Sequence, residues 1–432
     1  MRSRAMGFTA VMAASALVLS ACGADGDDAD GELVIWHMET PPNRVEALNS
    51  LAEEYNSGDP ETPVRFEVQE WDEIYATIAA AASAGSQPDA LFVTPDLATY
   101  VRQLGVGSPV TDVVEGMEAE HGFIDAATNP YRDEEEYWAV PLFGMVQVLW
   151  YRGDMFDEAG LEAPRTWEDL LEAAETLDTD EHSGIALPAG QNQATDQVVY
   201  SLMVTNGAAD IFTEEGEIAF DTPATVDTFE LYDELLQYSP ADSGSYAWGE
   251  PQAAFNSGSA AINIEKGQYL TPFEEETGLE PSDLGCAPIP TPESGGQPGS
   301  VYYSNGAMVL SESEDRAEDT NDFLEWLLDT DNYGDLLNAE PGLYLPLTEN
   351  GADESDWREH ETISTYEECV DLMLEQSESG ELFGFVDGQY IDDVGEIASQ
   401  NFIARAVQET YVNNVPPADA VSAAQEQMQA AD

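Results

Sequence analysis

Between Glu32 and Thr94 the sequence switches repeatedly between short apolar runs and helical periodicity, and this alternation restricts the fold more than any other feature. Glu32 to His37 (ELVIWH) is a compact apolar run suited to a buried parallel strand. Asn43 to Tyr55 then places Val45, Leu48, Leu51, Ala52 and Tyr55 on one helical face, and Pro60 to Pro63 end it. Val64 to Val68 is a second strand. Trp71 to Ala84 is an Ala-rich helix stopped by Gly85 to Pro88, and Asp89 to Thr94 is a third strand. Strand, helix, strand, helix, strand predicts an α/β fold with a parallel sheet and covering helices. In such sheets ligands sit beyond the carboxyl ends of the strands. That singles out His37 to Thr40, Glu70 to Trp71 and Thr94 to Asp96.

A second ordered stretch runs from Tyr137 to Leu170. Apolar runs at Ala139 to Leu142 and Val146 to Trp150 lead directly into a helix over Gly153 to Ala159. After a turn at Gly160 to Pro164, Thr166 is placed to cap the next helix with Asp169 as its capping-box partner. Further on, Gly184 to Pro188 reads as a strand, Gln197 to Thr205 and Thr225 to Gln237 as helices, and Ala253 to Ile264 as a helix end, a glycine turn and a strand. Pro288 to Gly299 has linker composition. Val301 to Leu310 is a strand, Ala317 to Leu328 a helix, and Val394 to Asp432 two helices broken at Pro416-Pro417.

The amino terminus sets the compartment. Arg2 and Arg4, the apolar run Phe8 to Leu19, and Leu19-Ser20-Ala21-Cys22 before Gly23 are similar to a bacterial lipoprotein signal, with Cys22 the lipidated residue. Residues 23–31 form an acidic tether. The other cysteines, Cys286 and Cys369, could pair outside the cytoplasm, but we read them as two buried, small apolar side chains. No Cys/His cluster suggests zinc, and no cofactor is expected. Twelve Lys and Arg against 87 Asp and Glu give a net charge of −75, which excludes nucleic acid as a partner. The charge is spread along the whole chain, as expected for a protein working at high salt.

In this order the motifs resemble the extracellular solute-binding proteins of ABC importers, specifically the carbohydrate-binding, maltose-binding-protein-like group. The residues that carry the resemblance are Leu33 to His37, Ser83 to Val93, Trp138 to Leu170, Ala254 to Gly267, Pro288 to Leu310, Ala317 to Leu328 and Pro416 to Met428. It implies two α/β lobes, three hinge crossings and a central cleft that closes on its ligand, an established behaviour of periplasmic binding proteins. The crossings fall in Val140 to Leu149, in Ile289 to Tyr303 and near Leu345 to Gly351. After a signal peptide over 1–22, lobe one takes 31–142 and 300–346, and lobe two takes 150–290 and 350–432. The implied partners are a sugar or oligosaccharide and the membrane permease subunits, with a lipid-anchored monomer on the outer face of the cell membrane.

Sugar recognition needs flat apolar faces for C–H groups and planar polar groups for paired hydroxyls. Trp248, in a polar loop without helical periodicity, is the preferred stacking platform; Trp71 is a second. On the resemblance, residues just past strand one reach the cleft, which makes Glu39 a candidate acceptor, and Asp96 follows strand three, where the family often places a sugar-binding carboxylate. Phe143 and Met145 at the first crossing, Gln268 and Tyr269 after the chain's single lysine, Tyr303 and Asn305 at the second crossing, and Tyr344 near the third complete the set. Few cations are available for an anionic ligand, so a neutral oligosaccharide is favoured. The alternative is a secreted glycosidase with a paired carboxylate site, but the sequence has no GxSxG, HExxH or P-loop motif.

Overall fold

The computed structural model describes residues 31–213, 216–348, 356–386, 389–391 and 394–431. The signal segment, Cys22 and most of the acidic tether lie outside the described residues, as does part of the expected third crossing. Glu32–Asp432 form one compact body.

The first three strands are β1 (Leu33–His37), β2 (Val64–Val68) and β3 (Ala90–Val93), with β1 parallel to both of the others. Every residue of β3 is buried. Its alternation explains why: Ala90 and Phe92 belong to one core, Leu91 and Val93 to another on the opposite face. The helix Pro42–Ser57 has proline in its first turn and buries Leu48, Leu51 and Ala52. The helix Ile74–Ala84 stops at Gly85, whose φ of 64° is the left-handed cap that glycine supplies. Directly after β3 comes the helix Pro95–Gln103, so Asp96 sits in a first turn beyond the sheet.

β4 (Arg132–Asp133) and β5 (Glu136–Tyr137) form a short hairpin. β6 (Val140–Val146) is followed, after Gln147 alone, by β7 (Val148–Arg152). That one residue separates two sheets. β7 is flanked by antiparallel β8 (Ile262–Glu265) and β9 (Leu284–Ala287) in a three-stranded sheet. β10 (Ser300–Val309) returns the chain to the first sheet, whose order is β11-β10-β3-β1-β2 with β6 paired to β10 and β11 at Gly380–Glu381. Along β10, Val301 and Tyr303 pack into a core built on β7 and β8, whereas Tyr302, Ala307 and Val309 pack into the core under β1 to β3.

Buried polar groups fix the junction. Ser201 Oγ donates to Gln147 Oε1 at 2.7 Å, and Ser300 Oγ donates to the Gln147 carbonyl at 2.7 Å. The helix Gly153–Ala159 and the capping box of Thr166 and Asp169 on Trp167–Leu177 occur where the sequence places them.

Three sequence readings need correction. Gly184 to Pro188 is an extended segment without a ladder, held by backbone bonds from Ile185 to Tyr238 and from Ala186 to Ile262. The carboxyl-terminal region forms three helices, Val394–Ala398, Phe402–Tyr411 and Pro417–Ala431, because the chain also turns at Asn401, whose φ is 51°. Cys286 and Cys369 are joined in a disulfide. Pairing with β7 sets Cys286 of β9 opposite Trp150, and the helix Glu367–Glu378 brings Cys369 against β9.

Candidate functional site

The carboxyl ends of β1, β2 and β3 converge on a cavity of about 260 Å³ whose other walls come from β6, β10, the helix Gln193–Thr205 and the segments around Trp248 and Lys266. Met38 and Glu39 directly follow β1, Trp71 opens the turn reached two residues beyond β2, and Thr94 directly follows β3. From the facing side come Gln193, Gln197, Trp248 and Gln252. The β8 turn is held by Trp150, whose indole N–H donates to the carbonyls of both Glu265 and Lys266 at 3.0 Å. This aims the Glu265, Lys266 and Gln268 side chains at the cavity. β10 carries a bulge between Asn305 and Gly306, the kind of irregularity that re-aims a side chain, and Asn305 lines the cavity with Tyr303 and Met145.

Two charged groups organise the walls. Arg44 is clamped by carboxylates: Nη1 donates to Glu39 Oε2 at 2.9 Å and Nε to Glu340 Oε2 at 3.0 Å. Burial opposes the Arg44 charge, but Glu39, Tyr344 and Glu340 more than offset it and hold the guanidinium pKa above its usual value. Lys266, 7% exposed, lies with Nζ 4.1 Å from the centroid of the Trp248 ring and 3.5 Å from Glu265 Oε1. Burial lowers its pKa, and the Glu265 carboxylate acts against that. Nearby, burial lowers the pKa of His37 to about 4, so it is neutral and its Nδ1 accepts the Glu39 backbone N–H at 3.2 Å.

Five buried polar atoms on residues lining the cavity have no protein partner: Thr94 Oγ1, Gln197 Oε1, Trp248 Nε1, Gln268 Oε1 and Asn305 Nδ2. Buried groups of this kind are normally satisfied. Here donors and acceptors occur together on one cavity that Trp71 and Trp248 also line. Among the described residues no group of His, Cys, Asp and Glu is arranged to hold a metal ion.

Of the residues singled out from sequence, Glu39, Trp71, Met145, Trp248, Gln268, Tyr303 and Asn305 line this cavity. Asp96 instead lines a small neighbouring chamber. Phe143 and Tyr344 are enclosed and stacked on each other, centroids 3.9 Å apart, because Gly144 bridges to Leu345 and brings the two rings together. Tyr269 is also enclosed, packed on Trp150 and Phe255 with its hydroxyl accepting from Asn263 at 2.6 Å. Sequence reading selected Thr94 only within the stretch that follows the third strand, and did not select Gln193, Gln197, Gln252, Glu265 or Leu343. Thr94 directly follows a buried strand, which is a usable signal; the helix Gln193–Thr205 is buried on nearly every side and offers none.

The sequence pattern of the bacterial extracellular solute-binding proteins matches residues 41–333. The chain belongs to that family. Among curated relatives, a putative ABC transporter periplasmic-binding protein of Escherichia coli, YcjN, is 23% identical over 400 residues, covering 91% of this chain and 90% of the relative. An arabinooligosaccharide-binding protein of Halalkalibacterium halodurans is 25% identical over 323 residues, covering 70% and 68%. Among solved structures, a solute-binding protein of Thermotoga lettingae bound with α-D-tagatose superposes with a TM-score of 0.79 at 18% identity, covering 93% of this chain and 99% of that one. Maltose-bound MalE3 of T. maritima gives 0.79 at 16% identity, covering 92% and 99%. The fold is therefore the two-lobed α/β fold of this family, whose members are extracytoplasmic binding proteins of ABC transporters and not enzymes. Among the described residues no helix is long and apolar enough to cross a membrane.

Proposed function

We propose that the protein captures a neutral sugar or short oligosaccharide by closure of its two lobes and delivers it to the permease subunits of an ABC importer. The observation that carries this reading is the set of five unpartnered buried polar atoms, donors and acceptors together, on residues lining a cavity that two tryptophans also line. Sugar hydroxyls both donate and accept, and pyranose C–H faces stack on indoles, so one molecule can satisfy the whole set. Net charge points the same way. Glu39, Glu265 and Glu340 outnumber Arg44 and Lys266, and a phosphate or carboxylate ligand would meet acceptors already committed to those cations. The volume of about 260 Å³ is at the small end of ligand pockets, which supports a short ligand. The sugar ligands in the names of relatives and of similar structures support the same class.

The protein acts as a monomer tethered through lipid on Cys22, binds without turnover, and works in a salty medium that screens its charge of −75. The test is a panel of neutral mono- and oligosaccharides read by calorimetry, tryptophan fluorescence and melting temperature, with product analysis alongside. A binder is stabilised by mass action without product. No thermal shift with any sugar, or release of new reducing ends, would sink the proposal. Mass spectrometry of the protein from its native membrane reads the Cys22 anchor separately.

A further inference from the structure

Acids outnumber bases 87 to 12 along the chain, yet the side chains lining the main cavity include two carboxylates, Glu39 and Glu265, and two cations, Arg44 and Lys266. On so acidic a chain that local balance has to be built, and the two walls build it differently. Arg44 is held by direct bonds to Glu39 and to Glu340 behind it. Lys266, the chain's single lysine, has a looser seat. Its Nζ lies 3.5 Å from Glu265 Oε1, the outer limit of a hydrogen bond, and 4.1 Å from the centroid of the Trp248 ring.

Glu265 is 3% exposed and Lys266 7%. Glu265 Oε1 also accepts the Lys266 backbone N–H at 3.0 Å, but one peptide N–H does not compensate a buried carboxylate. Across the cavity the Glu39 charge favours the ammonium and the Arg44 charge opposes it, so the balance spans both walls. The bland explanation is that Lys266 serves only as a hydrogen-bond donor to the ligand. That accounts for its place on the wall. It does not account for a seat between a carboxylate and an aromatic face, both of which attract any compact cation. Without the ammonium, Glu265 and Trp248 would offer that seat to the cations of a salty medium, against the very ring that a sugar stacks on.

We propose that Lys266 is a positioning residue that acts as the cleft's internal counter-ion: its ammonium fills the cation seat between Glu265 and Trp248 and keeps ions of the medium out of the binding space. The inference rests on the reading of the cavity as a site for a neutral ligand. An alkali ion in the seat would come and go with salinity, whereas a charge on a covalent stem is present at every salt concentration. A neutral ligand then displaces water alone, and its affinity does not follow the salt of the medium.

The test needs no sugar, so its outcome is separate from that of the proposed function. Lys266→Met keeps the apolar stem and removes the charge. Melting temperature is followed from low to molar sodium chloride, with circular dichroism verifying the fold; general screening of the chain's charge is common to all variants. Lys266→Met gains several degrees of sodium-dependent stabilisation beyond the wild type, by mass action at the vacated seat. The gain is larger at pH 8 than at pH 6, because a proton competes for the same carboxylate. Lys266→Met combined with Glu265→Gln removes both charges and returns to the wild-type salt curve, as does Lys266→Arg, which keeps the cation; packing by the lysine stem alone predicts neither return. Crystals of Lys266→Met grown in rubidium chloride give an anomalous peak between the Glu265 carboxylate and the Trp248 ring, and wild-type crystals give none there. A wild-type salt curve in Lys266→Met, or an extra sodium dependence that persists with Glu265→Gln, overturns the proposal. So does a rubidium peak at this seat in the wild type, which decides the matter even where Lys266→Met does not fold.

Discussion

At the scale of single residues, the site rests on a few side chains whose surroundings are decided by distant parts of the chain. Trp248 is the clearest. Its ring lines the cavity, one contact is the Lys266 ammonium, and its indole N–H is buried without a partner. Stacking of an aromatic ring contributes about 0.5–1.5 kcal/mol beyond area burial, and a ligand bond to the N–H adds to it. Trp248→Ala is therefore expected to weaken sugar binding by about tenfold or more, measured by calorimetry, with the far-ultraviolet spectrum unchanged; undiminished affinity would remove Trp248 from the site. Asp196, on the helix Gln193–Thr205 where it borders the small chamber, gives a second expectation. Its folded pKa is raised to about 8, first by burial and then by Asp96, with Tyr303 and Tyr200 the other titratable groups around the chamber. Between the ordinary carboxyl range and pH 8 the folded state binds more protons at this group than the unfolded chain does. Its contribution to stability is therefore present at low pH, falls as pH rises through that window, and levels off above it. Asp196→Asn should flatten this segment of the stability-versus-pH curve and stabilise the protein at pH 8 by at least about 1 kcal/mol, read from urea unfolding. A curve parallel to the wild type would show that Asp196 does not titrate there.

At the scale of elements, the strand-helix alternation, the Thr166 cap and the abrupt passage from β6 to β7 were legible because periodicity and capping are local. The pairing of the site residues was not. Phe143 reads like a cleft residue at the crossing, yet the bridge from Gly144 to Leu345 seals it against Tyr344, more than 200 positions away in a contact no local pattern encodes. Arg44 and Lys266 could be listed as charges from the sequence, but their geometry depends on Glu340 and on the Trp150 bonds that hold the β8 turn. Gly144 itself carries an expectation. A Cβ there would lie 2.7 Å from the Tyr302 hydroxyl and 3.1 Å from Leu347, both buried, on the strand that joins the two sheets. Overpacking of this kind costs about 1–3 kcal/mol. Gly144→Ala should lower the unfolding midpoint and reduce the ligand-driven compaction seen by small-angle scattering. If both are unchanged, the close packing of β6 on β10 does not limit the hinge.

At the scale of the whole molecule, a chain of charge −75 must hold its hydrophobic cores together against its own repulsion. The disulfide between Cys286 and Cys369 acts there. Cys286 belongs to β9 in the three-stranded sheet, while the helix carrying Cys369 also packs against β6 and β10, the strands that connect the sheets. One covalent bond thus couples the second sheet to the junction. The cross-link spans 83 residues, and by the chain-entropy model a loop of that length stabilises the folded state by about 4.5 kcal/mol, through restriction of the unfolded chain. Cys286→Ala with Cys369→Ala should lower the urea midpoint accordingly, with a steeper denaturant dependence because the unfolded chain expands further. The loss should be greatest at low salt, where repulsion in the folded body is least screened. Reductant added to the wild type should reproduce the effect. A midpoint unmoved by reductant, with free thiols titrating only after unfolding, would mean that the two cysteines pack as thiols and that the junction is held by its hydrogen bonds and apolar contacts alone.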